Sequence, residues 1–588
     1  MNRFTLAAAL LGSSSLTALA FDGRPWNVST GNLSISFIRT SPIGAGPQPN
    51  YLEPPPSVEA MVKMKQQGLI AYEDYVAWGA VEREPGKWQW KQHEKIADAV
   101  KKAGLNYVVY NWTHFPPVWL RESGQCTLMK SLNTGKECNF FSIFDPRTIE
   151  HYDHFYKNLA AHLGDRIDGV YACILGPYGE GNYPLYVPDF VNVGPSHEGY
   201  WAGDKFALIA FRDAMKAKYA GDLAKLSSAW GIKHASWDDV VPPTEIGEPF
   251  KPNPVSMESA ENRRRWLDFI TWYDQALIDF AEKTVQVTLK YFPKEKVRTK
   301  PGGNSGGVNP LAYGTYCPGF AKMAGKYGIV MQPADCHGAY FGDKWIGTAY
   351  QFYKVPLATE PAGNLDPNGF VRRMFSDASC GAAELFTYEF ERHAPSIRRY
   401  IRLYTGVPGE TEIAALCPTT LYRLAGDVKR TISAGAQLRD LAEYDVLDEL
   451  LIADGALTNE KYKALIVFQP DFVEDAVLDK IEAWVKAGGT VILGGNRPMK
   501  NVAGERRLTE GKIVKLSPMK NEKWIDEITT HLAGMKGFDG KRDGLMTCRR
   551  GDQVLVYNAN DKPTLVKVDM SGTPKDILVQ PHSIWRNH

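Results

Sequence analysis

The chain has 588 residues, 44% of them hydrophobic and 23% charged, with a net charge of +1. That length exceeds what one hydrophobic core organises, so two to four domains are expected. The balanced charge gives no handle for nucleic acid or an anionic membrane, whereas 15 Trp and 28 Tyr supply flat faces that suit sugars, although large cores also consume such rings.

In chain order, Met1-Asn2-Arg3 gives a short basic start, Leu6 to Leu19 is apolar and small, and Ala18-Leu19-Ala20 offers a cleavage site. This pattern predicts a signal peptide over 1–20 and export to the periplasm or the extracellular space. The apolar stretch is too short and Ser-rich to span a bilayer, and no other run is long enough, so no membrane span is expected. From about residue 33 to 400, short apolar runs alternate with amphipathic stretches. "LSISFIR" reads as a strand, "SVEAMVKMKQQG" as a helix and "AYEDYVAW" as a strand. "WKQHEKIADAVKKAGL" is a helix followed by the strand "NYVVYNW", and "PRTIEHYDHFYKNLAAHLGD" is a helix followed by "GVYACIL". Helical stretches then lead to the later strands "VRTKPGG", "IVMQPADC", "VPLATEP" and "AAELFTYEF". Sustained strand–helix alternation predicts an α/β fold, a (β/α)8 TIM barrel over 21–408. Beyond it, Tyr462 to Gly495 reads strand, Pro-Asp turn, helix, strand, within an α/β domain over 409–505. "DQVLVYNANDKPTLVKVDM" marks a small antiparallel β domain over 506–588.

Export permits disulfides. Of the eight cysteines, Cys126 and Cys138 flank a polar loop and form the best candidate bridge, with Cys317–Cys336 second. Cys173 and Cys380 lie in apolar runs and read as buried thiols. No C-x-x-C pair occurs, and His151 and His154 read as a solvated helix face, so no metal is expected.

The chemistry concentrates in "ACILGPYGEGNYPLY", where Glu180 follows the fourth strand between two glycines. A second carboxylate, Glu360, closes the seventh strand and is followed by Pro361. Barrel active sites form at the C-terminal ends of the strands. Alone, each Glu reads as a solvated loop acid or a salt-bridge partner. Paired on one rim, they can cleave a glycosidic bond, one protonated and the other ionised. Other residues near strand ends are candidates for sugar contact, each with a bland alternative as core filler or loop hydrogen-bonder: Arg39, Glu73, Asp74, Trp78, Asn111, Trp112, His114, Tyr178, Tyr183, Asn304, Asp335, His337 and Tyr388. The "PGGNSGG" loop lacks the G-K-[ST] ending of a phosphate cradle, and no G-x-S-x-G elbow or G-x-G-x-x-G follows a strand. No cofactor is expected.

The segment "AYEDYVAWGAVEREPGKWQW…NYVVYNWTHFPPVWLRE" resembles the second and third barrel units of family 42 glycoside hydrolases, the β-galactosidases of clan A. "LAKLSSAWGIKHASWDDV" and "NRRRWLDFITWYDQAL" resemble that family's next segments, and 462–495 resembles its amidotransferase-like trimerisation domain. The resemblance implies Glu180 as acid/base, Glu360 as nucleophile, and a homotrimer. Gly179 departs from it, because clan A enzymes usually carry there an Asn that binds the sugar 2-hydroxyl. "GPYGEGNYPLY" also resembles the β-amylase motif of family 14, where the Glu is the general acid of an inverting enzyme. Inversion would leave Glu389 or Glu391 as a more distant base. Carboxyl separations of about 5–5.5 Å mark retention and roughly 6.5–9.5 Å inversion. The expectation is a retaining exo-glycosidase acting on β-linked oligo- or polysaccharide, β-galactosidase-like. A β-mannosidase is the alternative, and a non-catalytic carbohydrate-binding barrel is the alternative of another class.

Overall fold

The computed structural model describes residues 27–31, 55–176, 178–184, 199–243, 245, 255–302, 311–333, 340–360, 365–425, 428–519, 523–540, 543–570 and 573–587. Eight parallel strands make the first sheet: β1 (Asn27–Gly31), β2 (Ala71–Ala77), β3 (Asn106–Trp112), β4 (Gly169–Ala172), β5 (Val297–Thr299), β6 (Val330–Met331), β7 (Ala358–Thr359) and β8 (Glu384–Phe386). They pair in sequence order from β1 to β6, β8 pairs with β1, and β7 pairs with β8. A parallel bridge from Met331 to Leu357 links the two free edges, so the sheet closes into a barrel.

Helices fill each crossover. They are α1 (Val58–Gln66), α2 (Lys91–Lys102), α3 (Arg147–Leu163), α4 (Ala260–Leu289), α5 (Cys317–Tyr327), α6 (Tyr340–Phe352), α7 (Pro367–Cys380) and α8 (Phe390–Tyr400). Their starts follow local chemistry. The Ser57 hydroxyl accepts from Ala60 N at α1, Ser259 caps Asn262 N at α4, and Asp366 caps Gly369 N at α7. Each helix lays an apolar stripe on the barrel; on α3 this is Tyr152, Phe155, Tyr156, Leu159 and Leu163.

Seven strands lie inside the runs that predict them. The first does not: the slot between β8 and β2 is filled by "NVSTG", with Asn27 opposite Glu384 and Ser29 opposite Ala71. "LSISFIR" lies outside the described residues. A strand hydrogen-bonded on both edges is held by its ladder, so a short polar sequence can occupy this place.

A second parallel sheet has five strands, β9 (Ile413–Cys417), β10 (Asp445–Asp448), β11 (Ala464–Val467), β12 (Thr490–Leu493) and β13 (Lys512–Lys515), in spatial order β10-β9-β11-β12-β13. That is the strand order of one doubly wound α/β sheet type. Toward the C-terminus, β14 (Leu545–Arg550), β15 (Gln553–Asn558) and β18 (Ile584–Arg586) form an antiparallel sheet beside the hairpin β16 (Thr564–Met570)–β17 (Thr573–Val579).

The predicted Cys126–Cys138 bridge is absent, and both are free thiols. A hairpin pairs Leu128 with Phe141 and Lys130 with Glu137. Cys138 therefore sits near its turn and Cys126 beyond its open end, so the two do not face each other. Cys317 is a free thiol as well, and Cys336 lies outside the described residues. Among the described residues, no helix is long and apolar enough to cross a membrane.

Candidate active site

Successive side chains alternate between the inside and the outside of a barrel, and inward positions are normally branched and apolar. Here they are largely polar. Glu73 and Tyr75 come from β2, Tyr110 from β3, Tyr171 from β4, Arg298 from β5 and Glu384 from β8, all at most 3% exposed. The next inward positions, just past the strand ends, are Lys300, Gln332, Glu360 and Tyr388. The lower tier is closed by the buried ion pair Arg298–Glu384.

Lys300 is the hinge of the upper tier. Its Nζ touches Glu360 Oε2 and lies 4.0 Å from Glu180 Oε1, so one buried ammonium spans the gap between the two predicted acids. It also sits 4.4 Å above the Tyr110 ring. Burial opposes its charge, but Glu360, then Glu180 and Glu73, outweigh burial and hold its pKa above the ordinary lysine value. Glu360 further accepts from Tyr388 Oη at 2.9 Å and from Gln332 Nε2 at 3.2 Å. Three donors thus converge on this one carboxylate.

Glu180 reaches the same ammonium because its loop folds back on β4. Ile174 N donates to Gly179 O at 2.9 Å and Leu175 N to Glu180 O at 3.0 Å, while Gly181 N donates to Lys300 O at 2.8 Å. Gly302 permits the approach, since a Cβ there would lie 2.9 Å from Glu180 Cβ. At Gly179 φ is +79°, and a Cβ would press on Asn111 O and Cys173 Sγ at 3.0 Å each. An Asn side chain at 179 would thus point into the β3–β4 wall. Any side chain at 179 is therefore both strained by the backbone and crowded by that wall.

Among the described residues, four carboxyls, Glu73, Glu180, Glu360 and Glu384, share this interior with two cations, Arg298 and Lys300. A buried cluster avoids uncompensated charge, so these carboxyls compete for the two cations. Glu384 is committed to Arg298 and Glu360 to Lys300. Burial raises the Glu73 pKa to about 7, with Glu360 adding to the rise and Lys300 and Arg298 opposing it.

Of the predicted site residues, Glu180, Glu360, Tyr388 and Glu73 come together around Lys300. Several others support the walls. Asn111 Nδ2 donates to Tyr171 O at 3.0 Å, Trp112 meets Tyr75 edge-on, and His114 Nδ1 lies 3.3 Å from Cys173 Sγ beneath Gly179. Tyr183 is a loop anchor, stacked on Tyr273 with its hydroxyl on Tyr273 O at 3.1 Å. Tyr178 is half-buried beside Gly179. Trp78 is not brought to the pair, for its indole donates to Glu82 at 2.7 Å and it packs on Phe141 and Phe155. Asp74 points outward, bonded to His93 and Tyr107, and ties α2 to the barrel. Glu389 is paired with Arg392 and Glu391 is exposed. Arg39, Asn304, Asp335 and His337 lie outside the described residues. The sequence reading missed Arg298, Lys300, Gln332 and Glu384. Their signal was present, as charged or amide residues on the inward parity of "VRTK", "IVMQ" and "AAELF".

The profile of glycosyl hydrolase family 14 matches residues 118–327. A β-amylase of Cytobacillus firmus is 30% identical over 285 residues, 46% of this chain and 59% of that protein, so the chain spans about three-fifths of that relative's length. The catalytic domain of a β-amylase from Paenibacillus polymyxa superposes with a TM-score of 0.52 at 20% identity, covering 65% of this chain and 99% of that one. A β-galactosidase from Bacillus circulans superposes with a TM-score of 0.66 at 11% identity, covering 95% of this chain and 98% of that one. Both resemblances read from the sequence hold, each on its own ground. The family 14 likeness is one of sequence within the barrel; the family 42 likeness is one of fold over nearly the whole chain.

Proposed function

We propose that this protein is an exo-acting glycoside hydrolase in which Glu180 protonates the departing glycosidic oxygen and Glu360 is its ionised partner. The observation that carries this reading is the ammonium of Lys300 set between the two carboxyls, touching one and 4.0 Å from the other. The closer contact with Glu360 suits that residue to the anionic role, and the greater distance from Glu180 leaves it the better placed of the two to carry the proton. In the retaining form of the reading, Glu360 attacks the anomeric carbon as the Glu180 proton passes to the leaving oxygen. Glu180, now a carboxylate, then deprotonates the water that releases the sugar. The fold likeness to β-galactosidases supports a terminal β-linked sugar as substrate.

A second reading has its own support. Gly179 follows the loop geometry of "GPYGEGNYPLY", and the sequence likeness lies with β-amylases. Here Glu360 activates water instead of attacking, the anomeric centre inverts, and the substrate is a glucan. Aryl β-galactoside, aryl β-mannoside and maltooligosaccharide offered in parallel, with the first-formed anomer read by proton NMR, separate the readings. Glu180→Gln and Glu360→Gln should each lower turnover by at least about 100-fold while leaving sugar binding in place. A wild-type protein that binds but cleaves none of these glycosides would return the barrel to the non-catalytic binding class. Export, and a trimer built through the 409–505 segment, remain part of the proposal; the second is checked by the solution mass.

A further inference from the structure

We infer that Glu73 works as a third carboxyl, kept protonated beneath the catalytic pair, and that its proton completes a one-way hydrogen-bond chain ending on Glu360. It is a positioning residue: it touches no sugar and acts through Tyr171 and Gln332. The inference rests on the glycosidase reading above and deepens it.

Proton counting carries the argument. Tyr171 Oη lies 2.9 Å from Glu73 Oε1 and also touches Gln332 Oε1. Gln332 Nε2 in turn faces Glu360 Oε2 at 3.2 Å. The amide of Gln332 cannot be reversed, because its oxygen would then meet the Glu360 carboxylate. Tyr171 owns a single hydroxyl proton. With Glu73 ionised, that proton would face two acceptors, and one contact would become oxygen against oxygen. With Glu73 protonated the count closes. Glu73 donates to Tyr171, Tyr171 to Gln332 Oε1, and Gln332 Nε2 to Glu360. Every member is buried, so a broken link is costly.

The surroundings agree. Lys300 and Arg298 of the β5 segment favour the Glu73 anion, while Glu360 beyond β7 disfavours it; Tyr171 on β4 bonds it, and Tyr75 and Tyr388 lie close. Burial dominates and places the transition at about 7. Above it, Tyr171 turns its proton back to Glu73, Gln332 loses its anchor, and Glu73 competes with Glu360 for Lys300. Activity should therefore fall on the alkaline side through an event that does not touch substrate binding.

Glu73→Gln tests this, because an amide N–H can donate permanently to Tyr171. The infrared difference between wild type and E73Q should contain the C=O stretch of a protonated carboxylic acid, fading as pH rises through neutrality. In kinetics, wild-type kcat should decline about tenfold per pH unit above that point. In E73Q the decline should move up by a pH unit or more, with KM unchanged and the optimum kcat reduced a few-fold. Tyr171→Phe, which keeps the acid and cuts the chain, should retain the acid band but lower kcat at every pH. No acid band lost in E73Q, or an alkaline limb identical in wild type and E73Q, overturns the inference. A wild type that shows the band but cleaves no glycoside leaves the buried proton standing and removes the hydrolase reading instead.

Discussion

Single residues decide what this barrel can do, and Gly179 is the sharpest case. Its φ of +79° and the Asn111 and Cys173 atoms at 3.0 Å from an added Cβ leave no place for the Asn that clan A enzymes carry there. Gly179→Asn should therefore restore no sugar contact. It should cost about 1–3 kcal/mol in urea unfolding, from strain plus overpacking, and tilt Glu180 away from Lys300. A gain of β-galactosidase activity in that variant would show that the loop can reset its backbone. Position 180 was legible in the sequence because a lone Glu between glycines after an apolar run is conspicuous. Lys300 was less so: strand parity puts Arg298 and Lys300 of "VRTKPGG" on one face, but only the closed barrel shows that this face is the interior. Aromatic side chains misled in the other direction. Trp78 reads as a sugar platform at a strand end but is fully buried against Glu82, Phe141 and Phe155.

Among the elements, α4 matters most, since it spans about 45 Å and serves two sheets. One face packs on the barrel through Tyr273, Leu277, Phe280 and Ala281. Elsewhere along it, Arg263 donates to Val502 O, Arg264 pairs with Glu474, Trp266 donates to Arg423 O, and Asp274 accepts from Arg423 at 3.1 Å. The helix was legible as a long amphipathic run, whereas its second partner was not, because periodicity reports which residues are apolar and says nothing of which neighbour covers them. The strand order of the second sheet is likewise invisible to pattern. The Asp274–Arg423 link carries a pH dependence. Burial raises the Asp274 pKa to about 6 against Arg423, above its unfolded value of about 3.9, so the folded state holds the proton more tightly. Stability from this group is greatest below pH ~4 and declines as pH rises toward 6. Arg423→Ala removes the opposing cation. Its penalty in urea unfolding should be larger at pH 8, on the order of 3 kcal/mol, than at pH 5, where the carboxyl can stay protonated. Equal penalties at the two pH values would mean that Arg423 acts through packing on Tyr316 alone.

Across the whole molecule, one buried side chain makes four of the bonds that tie the C-terminal sheet to the barrel. Arg550, at the end of β14, donates to Ala378 O at 2.7 Å, to Ala382 O and Tyr404 O at 2.6 Å each, and to Thr405 O at 2.9 Å. Ala378 lies in the last turn of α7, where its carbonyl also accepts from the capping Gly381 N at 3.2 Å, and Ala382 sits on the approach to β8. The guanidinium thus satisfies the connection between the strand that delivers Glu360 and the strand that carries Glu384. Burial lowers its pKa to about 10, still leaving it charged at neutral pH. No apolar replacement can serve four carbonyls. Arg550→Met should cost about 3 kcal/mol or more, because the acceptors are stranded in a dry interface. If the sheets unfold as one unit, wild type should give a single calorimetric transition. Arg550→Met should split it, with the β14–β18 region melting first and the barrel afterwards. Loss of turnover should follow the first transition if docking of that region holds β7 and β8 in register, and the second if the barrel keeps its catalytic rim unaided. The four bonds reach the α7–β8 connection from outside, so the first order of events is the expected one.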